Sequence, residues 1–84
     1  MAGYRRGVLK AKVNVQTLSR FAASIECLER PRAGSLVWIT LPGLESRSAT
    51  VEAIEGIVAH LRFTEPFHPA VIDAVVYGRM NSLH

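Results

Sequence analysis

The side chains best equipped for chemistry lie in the first quarter of the chain. Arg5, Arg6, Lys10, Lys12 and Arg20 fall within twenty residues that hold no acid. The other five basic residues face seven acids. A basic segment on a near-neutral body suits an anionic ligand or partner; the simpler alternative is a solvated strand face. Directly behind it, "TLSRFAASI" joins two strand-like stretches without a glycine, proline, asparagine or aspartate. Such a link is either an awkward turn or a binding loop.

Catalytic and metal chemistry find little support. Ser19, His60 and Asp73 are the residue types of a hydrolytic triad, but no nucleophile-elbow motif surrounds the serine. They read more simply as a turn serine, a strand histidine and a helix-surface aspartate. His60, His68 and His84 lack metal-ligand spacing, and Cys27 stands alone. The expectation is a non-enzymatic chain with no metal and no cofactor.

The elements that must position the basic residues follow from length and periodicity. Eighty-four residues with 49% apolar content make one globular domain. A single cysteine cannot form an internal disulfide, and Cys27 between Ile25 and Leu28 reads as a small buried hydrophobe in a reduced, cytoplasmic setting. The first residues hold no signal-peptide apolar region, and no apolar run reaches the roughly 18 residues of a membrane span.

From Leu9 the chain alternates, with Leu9, Ala11, Val13 and Val15 on one face and Lys10, Lys12, Asn14 and Gln16 on the other. Ala23, Ile25 and Cys27 share the face of a second strand. Val37, Ile39 and Leu41 share that of a third, opposite Leu36, Trp38 and Thr40. "ATVEAI" aligns Ala49, Val51 and Ala53; Gly56 permits a reversal into "IVAHLRF". After Pro66 the period changes. Pro69 suits a first helical turn, His68 caps or flanks it, Val71, Ile72, Val75 and Val76 form one stripe, and Gly78 is a stop signal. The expected layout is a basic arm at 1–8, an antiparallel β-barrel of five to six short strands at about 9–64, and a C-terminal helix at about 69–78.

Three stretches then carry a resemblance. "TLSRFAASIE", "GSLVWITLPGLESRSATVEAIEG" and "FTEPFHPAVIDAVV" occur in the order and spacing of the PilZ family, small bacterial β-barrels, over about Lys12 to Tyr77. The resemblance implies a cytoplasmic signalling domain of the cyclic di-GMP receptor type. In the family an Arg-x-x-x-Arg segment clamps guanine edges and phosphates. An Asp/Asn-x-Ser-x-x-Gly loop meets the ligand from the barrel surface. Carried over, Arg6-x-x-x-Lys10 with neighbouring Arg5 stands for the first motif. Thr17, Ser19 and Ala22 stand for the second, and Arg20 adds charge.

Only Ser19 matches the second motif in kind. Thr17 lacks the carboxylate, Ala22 adds a Cβ, and Lys10 loses the planar fork of arginine. Ala53 replaces a frequent tryptophan and His60 a frequent glycine. The family also places a further strand between the motifs, and the spacing here leaves no apparent room for one. On this reading, the changes Thr17→Asp, Ala22→Gly and Lys10→Arg together restore about tenfold or more in cyclic di-GMP affinity.

Two other classes stay open. A barrel without nucleotide contacts still works as a protein-interaction module, through left-over apolar residues Leu36, Trp38, Ile54 and Val58, and the helix stripe offers a homodimer contact. An OB-like single-strand nucleic-acid binder would use Lys10, Lys12 and Arg20, but its basic strand carries no interleaved aromatics.

Overall fold

The alternating runs become strands because each has one apolar face and ends at a turn former. The computed structural model describes residues 2–81, with side chains to residue 75. Its elements are β1 (Ala2–Arg6), β2 (Leu9–Leu18), β3 (Ala22–Glu26), β4 (Leu36–Thr40), β5 (Arg47–Glu55), β6 (Val58–Phe63) and α1 (Pro69–Asn81). The strands close into an antiparallel barrel in the order β1-β2-β3-β6-β5-β4. Closure leaves β1 against β4 through Gly3↔Thr40, Tyr4↔Ile39 and Arg5↔Trp38.

The interior is filled by inward side chains such as Ile25, Val37, Ile39, Val51 and Leu61, all fully buried. Burying each contributes about 1.5–3 kcal/mol. Cys27 is buried among them with a free thiol. Phe67, beyond β6, plugs one end, edge-on to Phe63 with ring centroids 4.8 Å apart. Gly56 opens the β5–β6 turn at φ 61°, a left-handed conformation that glycine adopts without a Cβ penalty.

Three expectations need correction. Residues 2–6 are not an arm ahead of the barrel but its first strand, so Arg5 and Arg6 lie inside a β-ladder. Gly3 lets this strand approach β4, since a Cβ there would meet Thr40 Cβ at 3.3 Å; as expected, no further strand lies between Lys10 and Thr17, which β2 alone connects. Gly78 does not end the helix, which runs to Asn81; one interior glycine costs only about 1 kcal/mol. Finally, Ala53 and Ile54 exchange faces. The β5–β6 register shifts between Val51 and Ala53, leaving Glu52 as an extra residue. Ala53 then points outward opposite His60, while Ile54 packs on the core. Leu36, Trp38, Ile54 and Val58 consequently form no single exposed patch. His84 lies outside the described residues.

The helix starts as its sequence requires. The Ala70 N–H donates to His68 Nδ1 at 3.1 Å, and the Val71 N–H donates to the His68 carbonyl at 2.9 Å. Val71 and Ile72 rest on the core. Among the described residues, no helix is long and apolar enough to cross a membrane.

Candidate functional site

The loop between β2 and β3 contains no special turn residue because a serine hydroxyl replaces one. Ser19 Oγ accepts the Phe21 N–H at 3.3 Å and the Ala22 N–H at 3.1 Å. The Ser19 N–H donates to the Ala22 carbonyl at 2.8 Å. This is a serine turn, in which the side chain mimics a backbone partner. Arg30 is the only non-glycine with positive φ among the described residues, so Ala22 needs no left-handed backbone.

Arg20 fastens this loop to the far segment. Its Nε donates to the Phe67 carbonyl at 3.0 Å, and the Phe67 N–H donates back to the Arg20 carbonyl at 2.8 Å. The guanidinium also lies over the Phe21 ring, 4.9 Å from its centroid. Arg20 is thus committed to holding the turn.

A second bulge aims the outer face. The β2–β3 register shifts between Val15 and Thr17, with Gln16 as the extra residue. Leu18 therefore turns inward and Thr17 outward, where Thr17 Oγ1 meets Ser24 Oγ at 2.5 Å. Ser24 is buried and pairs in turn with His60 on β6. A shallow groove of about 240 Å³ opens over this row, lined by Thr17, Ser19, Ala22, Ser24, Glu52 and His60 among others. Among the described residues, lysine and arginine are absent from its lining. Glu52 is engaged by Arg62 at 3.1 Å, and His60 Nε2 lies 3.3 Å from the Glu55 carboxylate without a hydrogen bond. Sequence reading had Thr17 and Ser19; it missed Ser24 and Glu52, whose only signal is register.

The other expected cations stand at the opposite end of β2. Arg5 pairs with Lys10, and Arg6 with Leu9, beside the β1–β2 turn. Arg5 lies over Trp38, 5.5 Å from the ring centroid. Arg6 forms an ion pair with Glu29, whose carboxylate holds the guanidinium still more firmly protonated than usual. Lys10 and Lys12 are exposed. Beneath them, burial first and then the Glu29 carboxylate push the Tyr4 phenol well above its ordinary pKa. The Tyr4 hydroxyl and Glu29 Oε2 are buried without hydrogen-bond partners among the described residues.

Seven residues of strand, about 20 Å, separate Lys10 from Thr17. Between them Glu26 occupies the outer face, accepting from Asn14 Nδ2 and Gln16 Nε2, both at 3.1 Å. The structure thus brings Thr17, Ser19 and Ala22 together, and separately Arg5 and Lys10, while Arg6 falls on the other face of β1, opposite Leu9. It does not join the two groups. No protein-family model, no curated protein and no solved structure matches the chain.

Proposed function

We propose that the chain is a PilZ-like signalling domain that works by docking a partner protein, without cyclic di-GMP as a tight ligand. One observation carries this reading: among the described residues, no lysine or arginine lines the groove formed by Thr17, Ser19 and Ala22. A dianionic dinucleotide draws most of its affinity from guanidinium forks and charge-assisted bonds. Here Arg6 is neutralised by Glu29, Arg20 is tied to Phe67, and Arg5 and Lys10 lie a strand's length away.

The receptor reading keeps one support, the hydroxyls of Thr17 and Ser24 at the rim of that groove. Calorimetric titration with cyclic di-GMP separates the two. Docking without the nucleotide gives no saturable heat. Saturable binding at micromolar concentration, lost on Ser19→Ala, would restore the receptor. Ser24 and His60 are cross-strand neighbours in the groove, but among the described residues no hydrogen bond joins a hydroxyl there to the imidazole, and pure protein is expected to leave cyclic di-GMP uncleaved.

A further inference from the structure

β2 is longer than either neighbour. Its residues 9–13 pair with β1, and its ladder with β3 begins only at Asn14↔Glu26. After Glu26 the chain turns away, with the Cys27 N–H donating to the Ile57 carbonyl at 2.7 Å. Among the described residues, the side of residues 9–13 that faces β3 therefore has no strand beside it. A groove of about 280 Å³ fills the space, lined by Lys12, Val13, Leu28, Ile57 and the acidic residues Glu26 and Glu29 among others. Unpaired strand edges accept further strands unless something blunts them.

Three observations say what fits. Apolar side chains crowd the edge and stay exposed: Leu28 at 84%, Leu9 at 42% and Ile57 at 45%. The turn that presents Leu28 is strained, closing with Arg30 at φ 55° directly before Pro31. Charge is one-sided: Lys10 and Lys12 project from the outer face beside Arg5, and no acid precedes Glu26. The nearest acids are occupied, Glu26 by Asn14 and Gln16, Glu29 by Arg6.

We infer that the 9–13 edge of β2 takes an added strand from a partner protein, an extended segment in which acidic and apolar side chains alternate. This names the partner class for the docking reading and rests on it. Period two sends every second side chain of the added strand to the face of Leu9 and Ala11, and the others to the face of Lys10 and Lys12, with Leu28 and Ile57 exposed across the groove. A second copy of this chain fits poorly. Two-fold pairing about Ala11 sets Lys10 opposite Lys12 of the other copy, and like charges directly opposite repel.

The probe is a capped hexapeptide alternating valine and glutamate, titrated into the ¹⁵N-labelled protein. The expected result is saturable shifts confined to residues 9–13, 28 and 57, with slowed amide exchange at 9–13. Lys10→Glu with Lys12→Glu weakens binding at least fivefold, as does Leu28→Asp. Ile57→Asp repeats the test at a second exposed residue. Absence of saturable shifts overturns the inference. So does equal binding of the valine–lysine peptide, shifts without amide protection, or a dimer in sedimentation that Lys10→Glu strengthens. The cyclic di-GMP titration is read separately: nucleotide binding removes the docking reading, whereas peptide failure without nucleotide binding removes only this edge.

Discussion

At the loop end of β2, the turn's polar groups find partners within the fold. Ser19 Oγ serves two amides, Arg20 holds Phe67, and Thr17 meets Ser24. At the hairpin end the same strand leaves a backbone edge without a neighbouring strand among the described residues, two exposed lysines, and an exposed Leu28. Both ends hold motif-like residues, yet the internal bonds divide them by role. Side chains satisfied inside the fold stabilise it. Those left unsatisfied are free to meet something else.

That contrast can be broken first by truncating an apolar residue at each end. Phe67 is buried at the loop end, against Phe63 and beneath Arg47 at 4.5 Å. Phe67→Ala should cost about 3–5 kcal/mol in urea unfolding. Leu28→Ala should stay within about 0.5 kcal/mol. Equal losses would show that Leu28 is part of the core and not a contact kept for a partner.

Next in size is the loop's own fastening. Arg20→Ala removes a charged donor from the Phe67 carbonyl and should cost about 1.5–3 kcal/mol. Ser19→Ala leaves two amides without their side-chain acceptor and should cost about 1 kcal/mol. Both are read from unfolding midpoints. A neutral Arg20→Ala would return that guanidinium to the pool available for a ligand.

The smallest effect is expected beneath the hairpin end. The Tyr4 hydroxyl is buried without a partner among the described residues, so Tyr4→Phe should be neutral or stabilising by up to about 1 kcal/mol at neutral pH. The sign with pH is fixed. Burial raises the phenol's pKa in the fold, so the unfolded chain releases its proton first. Stability contributed by the neutral phenol is present below the ordinary value near 10 and is lost progressively above it. Unfolding curves above about pH 10 should therefore fall more steeply for the wild type than for Tyr4→Phe.

Much of this was legible in the sequence, and the gaps have local causes. Regular alternation fixed the faces of β3 and β4, where Ile25, Val37 and Ile39 point inward as expected. Bulges were invisible, because one extra residue swaps every later side chain to the other face. Glu52 does this to Ala53 and Ile54, and Gln16 does it to Thr17 and Leu18. The first strand was hidden because Ala-Gly-Tyr-Arg-Arg has little apolar alternation; its place depends on Gly3 passing close to Thr40. The candidate site suffered most. Spacing along the chain put Arg6 and Lys10 near Ser19, whereas strand geometry holds them at opposite ends of one element.

The most direct measurement is therefore a titration of the triple variant Thr17→Asp, Ala22→Gly, Lys10→Arg with cyclic di-GMP, beside the wild type. Sequence resemblance predicts a gain of about tenfold or more from restoring the contacts. Two ends held about 20 Å apart predict none, since the new fork at residue 10 still cannot reach a ligand seated on the loop. With the variant's unfolding midpoint close to the wild type's, no saturable heat in either protein is the expected result. A tenfold gain in affinity would contradict it, and would mean that the two ends of β2 close on one ligand.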